Sequence, residues 1–157
     1  MVKEDKPALM EILQNTPEFK PSEVVVAEEV IDSYLHDPDS YDIFIAEVGK
    51  SIVGYICYGL TPLTESTWDI YWLAVDRKKQ DKGIGSTLVA FAEEQIKKLR
   101  GRLVVIETSA KPGYEKTRHF YLSHGYELIC RIPDFYAPGD DKIILQKRLS
   151  QNPGSVI

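Results

Sequence analysis

The chain has 157 residues, of which 43 % are hydrophobic and 27 % charged, and 19 Lys and Arg against 24 Asp and Glu leave a net charge of −5. That composition excludes wholesale disorder, and the length suits one domain that buries its core without staples. The acidic balance argues against a nucleic-acid binder, and no apolar run approaches the ~20 residues that span a bilayer. Two cysteines, Cys57 and Cys130, cannot build a disulfide framework and read as buried thiols of a reducing compartment. The charged start, MVKEDKPALM, lacks the apolar stretch of a secretory leader, so the expected location is cytoplasmic.

Residues 4–16 carry Leu9, Ile12 and Leu13 at helical spacing. Pro17 and Pro21 bracket a break, after which Ser22 is the expected cap of a second helix, closed by Asp37-Pro38. YDIFIAEV (41–48) and SIVGYICY (51–58), joined by Gly49-Lys50, predict a β-hairpin. TWDIYWLAV (67–75) is too apolar to have one face in water and reads as a central strand. From Gly83 the period changes to helical through Leu99, with a stop expected at Arg100-Gly101. LVVIET (103–108) is a buried strand, and residues 114–124 form a helix stopped by Gly125. Two further strands are expected at 126–132 and 142–149, joined by the loop IPDFYAPGDD. The order predicts a single α/β domain over residues 1–150, with a mixed, twisted sheet of about six to seven strands and helices on both faces. A flexible tail is expected over 151–157.

Chemistry concentrates in WDIYWLAVDRKKQDKGIGSTL. A buried strand ends at Val75, a basic loop follows, and Gly83-Ile84-Gly85 opens a helix. The first turn of a helix has unsatisfied N–H groups and partial positive charge, and glycines let an anion reach the backbone. Arg77, Lys78, Lys79 and Lys82 add formal charge, which marks a phosphate site. A Walker A loop needs Lys after the glycine, and here Lys82 precedes Gly83. A dinucleotide fingerprint needs a third glycine where Leu88 stands.

The segment does match Gln-x-x-Gly-x-Gly, as Gln80, Gly83 and Gly85, and resembles the acetyl-CoA pyrophosphate loop of the GNAT superfamily of N-acetyltransferases. DIYWLAVD is similar to the family's central strand, and Phe120-Tyr121-Leu122-Ser123-His124-Gly125-Tyr126 to its Phe-Tyr-x-x-x-Gly-Phe/Tyr signature. Spacing and element order agree from about Tyr41 to Leu149. Two departures are Tyr114, where the family often has Asn, and Thr117, where Ala is common. The family's first strand, which would precede the first helix, is expected to be short or missing.

The resemblance implies an acetyl-CoA-dependent N-acetyltransferase with no metal, in which the amine attacks the thioester directly in a ternary complex. It implies that backbone groups of Leu73, Ala74 and Val75 pair with pantetheine. Gln80, Asp81, Lys82, Gly83, Ile84, Gly85 and Ser86 would hold the pyrophosphate, and Thr117 and Phe120 would complete the cofactor contacts. Tyr121 matches the general acid that reprotonates the CoA sulfur; a phenol with a pKa of about 10 is protonated at neutral pH. For the base, Asp69 and Glu107 are the candidates and Glu65 a weaker one, though each carboxylate could equally be a solvated or salt-bridged residue. Cys57 and Cys130 have no sequence-local activating partner, which argues against an acyl-enzyme, and His36, His119 and His124 lack metal-ligand spacing.

The acceptor is expected to be a small-molecule or protein amine. Trp68, Tyr71, Trp72 and Tyr136 are the expected walls of its pocket, beside Tyr55 and Phe135, with Asp134, Asp140 and Asp141 nearby. The bland alternative is that half of these aromatics are core and Pro138-Gly139-Asp140 only a turn. Two rival functions stand beside catalysis: a CoA-binding regulatory module without turnover, and a module binding ATP or NAD at the glycine turn. An exposed sheet edge leaves a homodimer open.

Overall fold

Proline- and glycine-marked breaks separate most of the elements that the periodicities predict. The computed structural model describes residues 1–150; the tail expected over 151–157 lies outside the described residues. Helices α1 (Lys6–Gln14) and α2 (Pro21–His36) come first, then β1 (Asp42–Val48), β2 (Ser51–Leu60) and β3 (Thr67–Val75). Next are α3 (Ile84–Lys98), β4 (Leu103–Ser109), α4 (Glu115–Ser123), β5 (Glu127–Ala137) and β6 (Asp140–Arg148). The six strands run in the order β1-β2-β3-β4-β6-β5. Pairing is antiparallel for β1–β2, β4–β6 and β5–β6 and parallel for β3–β4, so the sheet is mixed as expected.

The chain forms two compact units, the first of Met1–Gly59 with Ile70–Ala92 and the second of Leu60–Asp69 with the residues from Glu93 onward. In the first unit, alternation along the hairpin sends Ile43, Tyr55 and Cys57 to one face, where they pack with Leu9, Ile12, Leu13, Ala27 and Ile31 of α1 and α2. On the opposite face, Phe44 stacks on Tyr58 and meets Phe91 of α3 edge-on. Strand β2 is therefore covered on both sides, which explains its unbroken burial from Val53 to Gly59. Each fully buried large side chain here contributes on the order of 1.5–3 kcal/mol.

In the second unit, Val104 and Ile106 of β4, Ile143 and Leu145 of β6, and Ile96 of α3 are buried. Gly101 closes this core from below: a Cβ there would lie 2.1 Å from the Ile96 side chain and 3.0 Å from Trp68 Nε1.

Two boundaries differ from the sequence expectation. Helix α2 is capped by Lys20 with Pro21 in its first turn, not by Ser22; Glu23 reaches back to accept from the Lys20 N–H at 2.7 Å. Helix α3 ends where expected: Arg100 takes the left-handed region (φ 60) and Gly101 serves close packing. The segment IPDFYAPGDD is not a loop but the end of a long hairpin, because β5 runs to Ala137 and β6 starts at Asp140. Asp134 makes this possible: at φ 54 it bulges the strand, its carboxylate accepts from Gly139 N at 2.7 Å, and its own N–H donates to Asp141 at 2.8 Å.

Candidate active site

In the first unit, β3 runs straight into the glycine loop. The Asp76 carboxylate accepts from Lys78 N at 3.0 Å, winding Arg77–Lys79 into a single tight turn. The Gln80 side chain donates to the Val75 carbonyl at 3.2 Å, folding the loop back on the strand end. Asp81 (φ 61) and Gly83 (φ 79) then both take left-handed backbone, and α3 begins at Ile84. A Cβ on Gly83 would meet nothing within 4 Å, so its glycine answers to the dihedral and not to space. Thr87 returns both its N–H and its hydroxyl to the Gly83 carbonyl at 3.0 Å, closing the first turn. A tight turn delivering a helix N-terminus, beside the exposed Arg77, Lys78 and Lys82, is a fitting cradle for a pyrophosphate.

Gly54 of β2 makes this placement possible. A Cβ there would stand 2.9 Å from the Ala74 carbonyl and 3.3 Å from Leu88, so only glycine lets α3 and β3 come so close. Leu73 and Val75 flank the buried Ala74 at the strand end. The parallel β3–β4 ladder consists of Thr67↔Leu103, Trp68↔Val104 and Asp69↔Val105, and it covers only the first third of β3.

The aromatics of β3 divide. Trp72 is half-buried and meets Phe19, from the turn between α1 and α2, edge-on at 5.5 Å. Tyr71 is exposed and meets Tyr41 edge-on at 5.5 Å. Trp68 is buried in the second unit against Gly101, and Tyr55 lies wholly in the first unit's core, as the bland alternative allowed. Phe19 carried no sequence signal beyond its place between two prolines. Burial pushes the Cys57 thiol up to about 12, with the nearby Asp42 carboxylate adding to it, so it is no thiolate nucleophile.

In the second unit, Tyr121 is the buried residue of α4. Its ring meets Phe120 edge-on at 5.1 Å and Tyr126 at 5.4 Å, and burial raises its pKa above that of a free phenol. Thr117 lies half-buried one turn earlier on the same helix. Arg118, for which the sequence held no signal, donates to the carbonyls of Ser109 (2.7 Å) and Lys111 (2.9 Å), tying α4 to the end of β4.

Both carboxylate candidates are engaged. Asp69 accepts from the Thr61 hydroxyl at 2.5 Å, and Glu107 is paired with the nearly buried Lys142 at 2.6 Å. The ammonium of Lys142 also sits 4.0 Å over the Phe135 ring, which in turn meets the exposed Tyr136 edge-on. The acids of the last hairpin serve its fold: Asp140 is buried on Ser109, Asp141 is paired with Arg131 at 2.6 Å, and Asp134 holds the turn. Among the described residues no cluster of His, Cys, Asp and Glu could hold a metal ion, and no helix is long and apolar enough to cross a membrane.

Residues 39–128 match the model of the acetyltransferase (GNAT) domain, more than half of the chain. A GNAT-family protein from Desulfovibrio desulfuricans is 35 % identical, with 95 % of each chain covered and a TM-score of 0.90. The ribosomal-protein-S18-alanine N-acetyltransferase of Escherichia coli shares the fold at 18 % identity (TM-score 0.77, 100 % of this chain and 96 % of that one). An aminoglycoside 6'-N-acetyltransferase solved with coenzyme A does so at 20 % (TM-score 0.73, 94 % and 92 %). No curated protein sequence matches the chain. A mixed sheet whose central strand feeds a glycine loop and a helix N-terminus is thus the fold of an acetyl-transferring α/β enzyme. The chain belongs to the GNAT acetyltransferase family, whose acyl donor is acetyl-CoA.

Proposed function

We propose that this enzyme transfers the acetyl group of acetyl-CoA to a primary amine by direct attack in a ternary complex, with Tyr121 as general acid. The observation that supports this reading is the place of Tyr121, a buried phenol on α4 at the tyrosine of the family's Phe-Tyr-x-x-x-Gly signature, protonated at neutral pH as a phenol ordinarily is. The residues from Gln80 to Ser86 hold the pyrophosphate through backbone N–H groups, with Lys82 supplying charge. Leu73, Ala74 and Val75 offer backbone to the pantetheine amides as an added strand would, and Thr117 and Phe120 flank the chain on α4.

In the reaction, Asp69 takes the amine's proton, directly or through water. A backbone N–H of β3 polarises the thioester carbonyl as oxyanion charge develops, and Tyr121 donates its proton to the departing sulfur. Asp69 is preferred to Glu107 because its partner is a neutral hydroxyl, whereas Glu107 would break an ion pair to accept a proton. Trp72, Tyr71 and Phe19 offer ring faces that suit an amine carrying positive charge before it is deprotonated. The fold relatives act on an aminoglycoside and on the alanine of a ribosomal protein, both amines. The cytoplasm, where CoA thioesters are made and free thiols persist, is the compartment this activity fits.

Thermal unfolding with added acetyl-CoA, ATP or NAD tests the cofactor. At a hundred times its dissociation constant a ligand stabilises by about 2.7 kcal/mol, and only acetyl-CoA is expected to raise the melting temperature. A panel holding an aminoglycoside, a peptide with N-terminal alanine and a polyamine then finds the acceptor. With the fastest amine, Tyr121→Phe is expected to lower kcat at least about tenfold while KM for acetyl-CoA stays within about twofold. Wild-type turnover in that variant removes Tyr121 from the mechanism; acetyl-CoA binding with no turnover on any amine favours a regulatory CoA-binding module.

A further inference from the structure

Three polar side chains are drawn together behind Tyr121, and the acetyl-transfer steps use none of them. Glu93 of α3 is only 8 % exposed, yet it carries a carboxylate into the second unit's interior. Its Oε1 accepts from the Tyr126 hydroxyl at 2.9 Å. Lys147 of β6 meets both its oxygens, at 3.1 and 2.9 Å, and sits 5.6 Å over the Tyr126 ring. The Lys147 stem passes 3.5 Å from where a Gly125 side chain would begin, so the glycine that ends α4 also makes room for the lysine. A carboxylate buried alone costs several kcal/mol, and here an ammonium and a phenol compensate it fully enough to be kept.

We propose that Glu93, Tyr126 and Lys147 form a positioning group for the general acid Tyr121. The proposal rests on the general-acid reading of Tyr121 and deepens it. Tyr126 is the link. Its ring lies 5.4 Å from that of Tyr121 at 72°, and its N–H donates to the Tyr121 carbonyl at 3.1 Å, so it touches the acid through ring and backbone alike. Glu93 accepts the hydrogen bond of the Tyr126 hydroxyl and so fixes the far end of that ring, and burial together with the Glu93 charge keeps Tyr126 protonated as the donor. With both ends of the Tyr126 ring anchored, the Tyr121 ring has a fixed wall to pack on. Orientation of this kind matters because displacing a reacting group by ~1 Å costs on the order of a hundredfold in rate.

The test is a double-mutant cycle on the full chain, measured with acetyl-CoA and the fastest amine of the panel. Tyr126→Phe keeps the ring and deletes only the tie to Glu93. It is expected to lower kcat about five- to tenfold with KM for acetyl-CoA within about twofold, and to add little further loss to Tyr121→Phe. Glu93→Leu should match Tyr126→Phe, while Glu93→Gln, which keeps an acceptor oxygen, should retain more of kcat than Glu93→Leu. If Glu93→Leu does not fold, the Tyr126→Phe cycle alone decides. Multiplicative losses in the double variant would mean that Tyr126 acts independently of Tyr121, and they overturn the proposal. Unchanged kcat in Tyr126→Phe, beside an impaired Tyr121→Phe, overturns the positioning group and leaves the acid standing. Unchanged kcat in Tyr121→Phe overturns the general-acid reading itself.

Discussion

At the scale of single residues, the chemistry turns on which polar groups are already committed. Glu107 and Asp69 are equivalent in sequence, each a carboxylate on a strand of the sheet. In the structure Lys142 occupies the first and Thr61 the second. Asp69→Asn is expected to cost about 10²–10⁴ in kcat. Glu107→Gln should cost far less in kcat and act chiefly by stranding the ammonium of Lys142. Steady-state kinetics and denaturant unfolding of both variants check this, and the opposite pattern would transfer the role to Glu107. Lys142 lies 35 positions beyond Glu107, and Thr61 reaches Asp69 only across the turn before β3, so no local pattern could have separated the two carboxylates.

At the scale of elements, the glycine loop works because β3, its turn and α3 are locked in sequence order. Local hydrogen bonds from Asp76, Gln80 and Thr87 set the loop's path. Two substitutions separate its requirements. Gly83→Ala forces a side chain into a left-handed conformation without meeting any neighbour, so it should cost about 1–2 kcal/mol of stability and weaken acetyl-CoA binding. Gly54→Val places carbon against the Ala74 carbonyl and Leu88, so it should destabilise the fold by ~1–3 kcal/mol and weaken acetyl-CoA binding by displacing α3. Denaturant unfolding with and without acetyl-CoA distinguishes them. The need for glycine at 83 was legible from the motif. The need at 54 was not, because it comes from a backbone 20 positions further on.

At the scale of the whole molecule, burial of phenols sets the limit of stability in alkali. Tyr55, Tyr58, Tyr121 and Tyr126 all have their pKa values raised, chiefly by desolvation, with Asp42 adding at Tyr58 and Glu93 at Tyr126. A raised folded-state pKa means that the native state holds protons which the unfolded chain releases near pH 10. The stability these groups contribute is fully present below about pH 10 and is lost as pH rises beyond it. Alkaline unfolding should therefore be cooperative, with the tyrosinate absorbance of these four appearing together with loss of circular dichroism. Early, gradual ionisation of all nine tyrosines would contradict this burial.

Elements with strong local periodicity are legible in the sequence alone. Strand β3 falls on its expected residues, the β1–β2 hairpin turns at Gly49-Lys50, and α3 starts at the glycine loop. The long β5–β6 hairpin is not legible in this way, because Pro133, Pro138 and four aspartates or glycines imitate a loop, and the pairing that overrides them belongs to a partner strand. An edge strand tolerates such residues, and β5 stands at the end of the strand order. By itself, then, the sequence determined the element order, the glycine turn that opens α3 and the place of a tyrosine near the end of α4, because propensity, period and helix-end chemistry act over a few residues. Only the tertiary structure decided which carboxylate is paired, which aromatics are core, and that Glu93, Tyr126 and Lys147 meet, because burial and charge pairing depend on residues the chain brings together from afar.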